Sequence, residues 1–204
     1  FFIAPFADMI DSPIFLLEVI IGGLLAGVMY SLVALGFVLI YKASGVFNYA
    51  QGAMVLFAAL TLVGLMEKNT PLALAIIVTL AIMVACAFLI ERWVLRPLVN
   101  QAQIILFMAM IGLNFVFEGA GQIFWGSDVK KLDVGIPETS YDIGGVLLNS
   151  FDLTAAICAA VLVAFLAVFF QKTAVGRALR AVADDHQAAL SVGIPLKTIW
   201  VIVW

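Results

Sequence analysis

Asn114 and Glu118 lie four residues apart in "MIGLNFVFEGAG", within a run from 103 to 125 that is otherwise apolar. At helical spacing they share one face, with Gly121 beyond them. A carboxylate there can accept hydrogen bonds, pair with a cation or carry a proton. A charged side chain near the middle of a bilayer costs about 2.5–3.5 kcal/mol on insertion scales. Helix rise puts Glu118 about 6 Å outward of the centre of the run, where the cost is lower. The pair must face protein or a wet cavity, either as the polar border of a translocation path or as a buried anchor between helices. A second polar group sits in "KASGVFNYAQ", residues 42–51, which holds Ser44, Gly45, Asn48 and Gln51. A third is "GRALRAVADDHQAALSVGIP", residues 176–195, with two arginines, two aspartates and the only histidine of the chain. No phosphate-binding loop, histidine pair, nucleophile elbow or metal-ligating cluster accompanies these groups. The expectation is a chain that is not an enzyme and that binds no metal or cofactor itself.

The elements that position these residues follow from composition. Of 204 residues, 65% are hydrophobic and 11% charged, and the mean hydropathy is +1.20. Soluble domains hold about 45–50% apolar and about 25% charged residues, so the bilayer is the natural solvent. A net charge of -3 without a basic tract argues against a nucleic-acid partner. Asp8 and Asp11 near the start are unlike the basic region of a signal peptide. Cys86 and Cys158 fall in apolar spans without metal spacing and read as small structural residues. The chain starts at Phe1 without Met and stops at Trp204 inside an apolar run, which is expected of a piece of a longer protein.

A full crossing takes about 20 residues. Apolar spans are predicted at about 19–41, 46–66, 71–90, 103–125 and 153–170, with a sixth from 196 onward, in a single domain over 1–204. The apolar run of the second, 52–66, is too short unless it borrows from 42–51. That stretch is then either a broken helix facing the protein interior or an ordinary turn before a tilted helix. With the N-terminus outside, Lys42, Arg92, Arg96, Lys172, Arg177, Arg180 and Lys197 fall inside, and Lys68, Lys130 and Lys131 fall outside. The positive-inside rule favours that orientation. In the outer loop 126–152, "YDIGGVLLNSFDL" places Gly-Gly between two apolar runs and predicts a small hairpin, a cap on the outer mouth. Gly23, Gly27, Ser31 and Ala34 line one face of the first span, where small residues let another helix approach closely. The fold class is an all-α polytopic membrane protein, a transmembrane helix bundle.

The polar insert has its own pattern. Residues 178–191 are rich in helix formers, and Leu179, Val182, Ala189 and Leu190 form a narrow apolar stripe. Arg180 and Asp184 stand at i and i+4, a local pair. The expected element is a short amphipathic helix lying along the cytoplasmic surface of the membrane.

These residues carry a resemblance. "GRALRAVADDHQAALSVGI" resembles the cytoplasmic loop of permeases from ABC importers for branched-chain amino acids, the LivH/LivM family. The pattern falls on Gly176, Arg177, Ala178, Arg180, Ala181, Ala183, Asp185, Ala189, Gly193 and Ile194. The broader importer signature is matched by Gln187, Ala188, Ala189 and Gly193, with Gln187 in place of the usual glutamate. "GVFNYAQGAMVLFAA" and "IGLN" at 111–114 are also similar, and the first of these looks more like the LivH branch.

The resemblance implies a permease subunit in an inner-membrane importer, multi-pass, with its N-terminus on the periplasmic side. A second homologous permease chain completes the pathway. Two cytoplasmic ATPase subunits hold ATP and Mg, and a periplasmic binding protein delivers and selects the solute. Relatives also carry urea, short amides or aromatic acids, so leucine, isoleucine or valine is the leading class rather than the only one. On this reading loop 172–195 is the element that couples the permease to its ATPases, through Gly176, Arg177, Arg180, Ala181, Asp184, Asp185, Ala188, Ala189 and Gly193. Asn48, Gln51, Asn114 and Glu118 would border the substrate path. The competing class is an ion- or proton-coupled secondary transporter with Glu118 as coupling residue, and a third is a membrane assembly subunit without a path of its own.

Overall fold

The computed structural model describes residues 13–98, 101–131, 139–143, 146–185, 189, 191 and 193. The described residues form the α-helices α1 (Pro13–Ser44), α2 (Gln51–Glu67), α3 (Leu72–Ile90), α4 (Gln103–Trp125), α5 (Ser150–Lys172) and α6 (Ala174–Asp184). A π turn (Glu91–Leu95) and a 3-10 turn (Arg96–Leu98) prolong α3. Helices dominate because lipid offers no partner for backbone N–H and C=O groups, and a helix satisfies them internally. Among the described residues, four helical segments are long and apolar enough to cross a membrane: 13–44, 72–98, 103–125 and 150–172. α2, with 17 residues, is shorter.

The helix bounds depart from the apolar runs where polar chemistry intervenes. α1 continues through Lys42 to Ser44, beyond the apolar limit at 41. α2 starts at Gln51 rather than 46, because 45–50 is not helical. The third span does not stop at 90 but winds on to Leu98. α5 runs three residues earlier than the apolar run, from Ser150, with Asn149 Oδ1 accepting the Phe151 N–H at 2.8 Å. The expected sixth span lies outside the described residues, as do Ala188 and Leu190.

The chain divides into two compact units, residues 1–34 with 135–169 and residues 35–134 with 170–204. The first contains the expected hairpin. Strands β1 (Ser140–Ile143) and β2 (Val146–Asn149) pair antiparallel, with Tyr141 opposite Leu148 and Asp142 opposite Leu147. The Ser150 N–H donates to the Thr139 carbonyl at 3.0 Å and leads the chain into α5.

The second unit holds the main core, Val46, Ala53, Phe57, Ile90, Leu95, Met110 and Phe117. Phe57 and Phe117 meet edge to face at 5.5 Å. α2 and α4 approach closely where glycines permit it. A Cβ on Gly121 would lie 3.1 Å from Leu60, and one on Gly64 would overlap the Trp125 ring. At that same end Lys68 sits over the Trp125 ring at 5.3 Å, and Lys130 pairs with Glu67.

Glu91, a residue that the sequence does not single out, is the most deeply buried charged group among the described residues, at 1% exposure. Its Oε1 accepts from Arg96 Nε at 2.7 Å. The π turn explains this pairing. Its i→i+5 backbone bond, from Arg96 N to Glu91 O, brings residues five apart onto one side. Among the described residues the second oxygen, Oε2, has no hydrogen-bond partner. Removing the partner of a buried ion costs more than removing both charges. Arg96→Ala is therefore expected to lower the melting temperature of the purified protein in detergent, and adding Glu91→Gln to raise it again. A double variant no more stable than Arg96→Ala alone would contradict the role of this pair.

Candidate functional site

The break between α1 and α2 is built from side chains that satisfy their own backbone. Ser44 Oγ donates to the Ile40 carbonyl at 2.7 Å and accepts the Val46 N–H at 3.3 Å. Gly45 has φ +69, a left-handed conformation that other residues adopt at a cost, and its N–H donates to the Tyr41 carbonyl at 2.8 Å. Asn48 is 1% exposed. Its Oδ1 accepts the Ala50 N–H at 3.1 Å, its carbonyl accepts the Gln51 N–H at 3.2 Å, and its Nδ2 lies 3.6 Å from Met54 Sδ. Gln51 is also buried, and its amide occupies the space that a Cβ on Gly36 would fill. Within 42–51, Ala43, Val46, Asn48, Ala50 and Gln51 are buried, while Lys42, Gly45, Phe47 and Tyr49 are exposed.

Beside the break lies an aromatic cluster that the sequence analysis missed. Phe47 contacts Phe37, Tyr41 and Tyr49 at 5.2, 6.4 and 5.0 Å between centroids, and Tyr49 meets Phe107 edge-on at 4.6 Å. A cavity of about 230 Å³ opens there, lined by Tyr41, Gly45, Val46, Phe47, Gln103, Leu106 and Phe107. The alternation of aromatics in "YKASGVFNY" was the available signal, but only the fold brings Phe107 to it.

Asn114 and Glu118 do meet, with Asn114 Nδ2 donating to Glu118 Oε1 at 2.9 Å. Asn114 is half-buried and Glu118 is exposed. Glu118 is thus an exposed carboxylate on an apolar helix of 23 residues, a placement that lipid disfavours. On α1 the small-residue face is likewise uncovered. Gly23, Gly27 and Ala34 are exposed, Ser31 is half-buried with its Oγ on the Val28 carbonyl at 2.6 Å, and nothing lies within 4 Å of a Cβ at either glycine.

The polar insert is helical from Ala174, earlier than expected. Thr173 caps α6, its hydroxyl accepting the Gly176 N–H at 3.0 Å. The helix ends at Asp184, and Asp185 is extended at φ -154. Ala189 and Ser191 are helical again, with Ala189 N–H donating to the Asp185 carbonyl at 3.0 Å, and Gly193 has φ +82.

The apolar stripe of this helix is not turned to lipid, as the sequence suggested. Leu179, Val182 and Ala189 are buried with Ala43 of α1, and Phe170, Val175 and Ala178 pack around them. The stripe finds a protein partner because the end of α1 presents a small residue to it. The Arg180–Asp184 pair is not among the ion pairs of the described residues. Instead Arg180 Nη2 donates to the Gln171 carbonyl at 3.4 Å and Arg177 Nη1 to the Lys172 carbonyl at 3.0 Å. Both cations thus serve the open carbonyls at the C-terminus of α5, which its dipole also favours. Arg177, Arg180, Asp184 and Asp185 are exposed, Ala181 is half-buried and Gly176 is buried. Among the described residues no group of His, Cys, Asp and Glu could hold a metal ion.

Four membrane-length apolar segments among the described residues define a multi-pass membrane protein. The family described as the permease component of branched-chain amino acid transport systems matches residues 19–204, and the chain belongs to that family. Among curated proteins it is similar to the high-affinity branched-chain amino acid transport system permease protein BraD of Pseudomonas aeruginosa. The two are 26% identical over 191 residues, covering 87% of this chain and 62% of the relative. It is also similar to LivH of Salmonella typhimurium and of Escherichia coli K12, each 26% identical over 203 residues, or 91% of this chain and 65% of the relative. The chain thus spans less than two thirds of the length of these relatives. No solved structure matches it.

Gly176 is the tightest point of the insert. A Cβ there would overlap the Phe170 carbonyl oxygen and lie 2.5 Å from its Cα, backbone atoms that cannot rotate away. Gly176→Ala is expected to destabilise the protein by about 1–3 kcal/mol or more, the range for overpacking. Gly52→Ala, with open space around its Cβ, is the control and should leave thermal unfolding in detergent unchanged or slightly delayed.

Proposed function

We propose that the chain is the membrane-spanning permease subunit of an ATP-driven importer of the inner membrane. It would pair with a second, homologous permease chain, two cytoplasmic ATPase subunits carrying ATP and Mg, and a periplasmic solute-binding protein. The solute class is branched-chain amino acids or related small polar solutes. The observation that carries the proposal is the division of labour on α6. Its apolar side is occupied by Ala43 and Phe170 within the chain, while the charged side chains of Arg177, Arg180, Asp184 and Asp185 stay exposed for a soluble partner. That arrangement suits a docking element better than a helix floating on lipid. Membership of the permease family over residues 19–204 supports the same reading.

Glu118 and Asn114 supply the polar border of the path in this proposal, facing the second permease chain across it. Asn48 and Gln51 act from inside the packed break, holding it in place rather than touching solute. The exposed small-residue face of α1 is available to a further helix.

Orientation is checked by single cysteines at Lys130 and Asp184, in a background without Cys86 and Cys158. Membrane-impermeant thiol reagents should reach the first from the periplasmic side and the second from the cytoplasmic side. Labelling of both from one side would overturn the topology.

Function is tested with the complete complex in vesicles. Uptake of labelled leucine should require both ATP and the binding protein. Glu118→Gln should slow it several-fold with the complex still assembled. Uptake driven by a proton gradient alone, and abolished by Glu118→Gln, would instead establish the secondary-transporter reading.

A further inference from the structure

Two hydrophobic clusters in the second unit are joined by four consecutive residues. Ala43, 1% exposed, belongs to the cluster that seats α6, with Leu179, Val182 and Ala189. Val46, 5% exposed, belongs to the main core with Phe57, Ile90, Leu95, Met110 and Phe117. Only Ser44 and Gly45 separate them. This short stretch has little slack. Its hydrogen bonds run from Ser44 Oγ to Ile40, from Gly45 N–H to Tyr41 and from Val46 N–H to Ser44 Oγ. The bend itself is set by the left-handed Gly45. The other end of α6 is equally short of slack. Gly176 lies against the Phe170 backbone, and Arg177 and Arg180 hold the last carbonyls of α5.

We infer that Ala43–Val46 is the joint through which a displacement of α6 reaches the broken helix, with Ala43 as the positioning residue that seats α6 and Gly45 as the fixed bend. The inference rests on the coupling role proposed above and adds a route to it. A load on α6 cannot be absorbed by a flexible linker. It passes through the Ala43 contact into the end of α1, and three residues later into Val46. From there it reaches the segment of Asn48 and Gln51 and the face of α4 that carries Met110 and Phe117. Small size at 43 matters because Leu179 and Val182 close over it. The backbone at 45 matters because it sets the angle between the two clusters.

The experiment measures solute transported per ATP hydrolysed by the full complex in vesicles, with ATPase retention on the purified complex scored alongside. Gly45→Ala meets nothing within 4 Å, so its effect acts through φ alone. It should lower transport per ATP by roughly tenfold, the scale of left-handed strain, with ATPase retention unchanged. Gly45→Asn tolerates that backbone better and should recover most of the loss. Ala43→Leu should also uncouple transport from hydrolysis. Should Ala43→Leu fail to fold, the Gly45 pair still decides the matter. Transport per ATP unchanged in Gly45→Ala, or lowered equally in Gly45→Asn, would overturn the joint. Docking is scored separately with Asp184→Lys, at an exposed position of α6 outside the buried cluster, which should release the ATPase. If it releases the ATPase while Gly45→Ala transports normally, the joint fails and docking stands. Full retention in Asp184→Lys would overturn docking, and the joint with it.

Discussion

A helix that stops must answer for every backbone group it leaves open, and the rest of this structure depends on how that is done between Ser44 and Gln51. An amide or carbonyl buried there without a partner costs several kcal/mol. The chain meets the requirement locally. The Ser44 hydroxyl, the Asn48 carboxamide and three short backbone bonds satisfy the interruption before any neighbour is needed. Packing then closes over an already quiet segment, leaving Val46 and Ala50 at 5% and 0% exposure. The short α2 follows from the same constraint, since the residues that could have lengthened it are spent on the break.

Small residues decide where elements touch. Gly36 admits the Gln51 amide, Gly64 the Trp125 ring and Gly176 the Phe170 backbone, while Ala43 receives α6. These contacts rely on shape rather than on hydrophobic gain, as is expected where lipid is as apolar as leucine. The uncovered face of Gly23, Gly27 and Ala34 shows the same chemistry without a neighbour in this chain. Charge is placed with equal economy. Arg177 and Arg180 end α5, and Arg96 reaches back along a π turn to the buried Glu91.

The fold was legible wherever hydropathy alone decides. The run at 103–125 coincides with α4, and the Gly-Gly between short apolar runs marked the hairpin. Membership of the permease family was legible in the insert, because its charges recur at fixed offsets in a chain otherwise poor in them. What was not legible depends on neighbours distant in sequence. The stripe of Leu179 and Val182 looks the same whether lipid or Ala43 covers it. The spacing of Arg180 and Asp184 suggests a pair, but the guanidinium of Arg180 turns to the open Gln171 carbonyl of α5 instead. Glu91 passed unnoticed because a carboxylate after an apolar run usually marks the water's edge, and only the π turn with Arg96 carries it inside. Asn114 and Glu118 were expected to share a face and do.

The brevity of α2 also bears on how the protein is made. Its seventeen residues leave the ribosome ahead of Gly121 and Trp125, the positions against which Leu60 and Gly64 come to rest. For that interval the helix lacks the partner that packs on Leu60 and Gly64, and its length is at the lower end of what spans a bilayer. Those contacts form only when α4 arrives, so a substitution in α4 can misplace a segment that was translated before it.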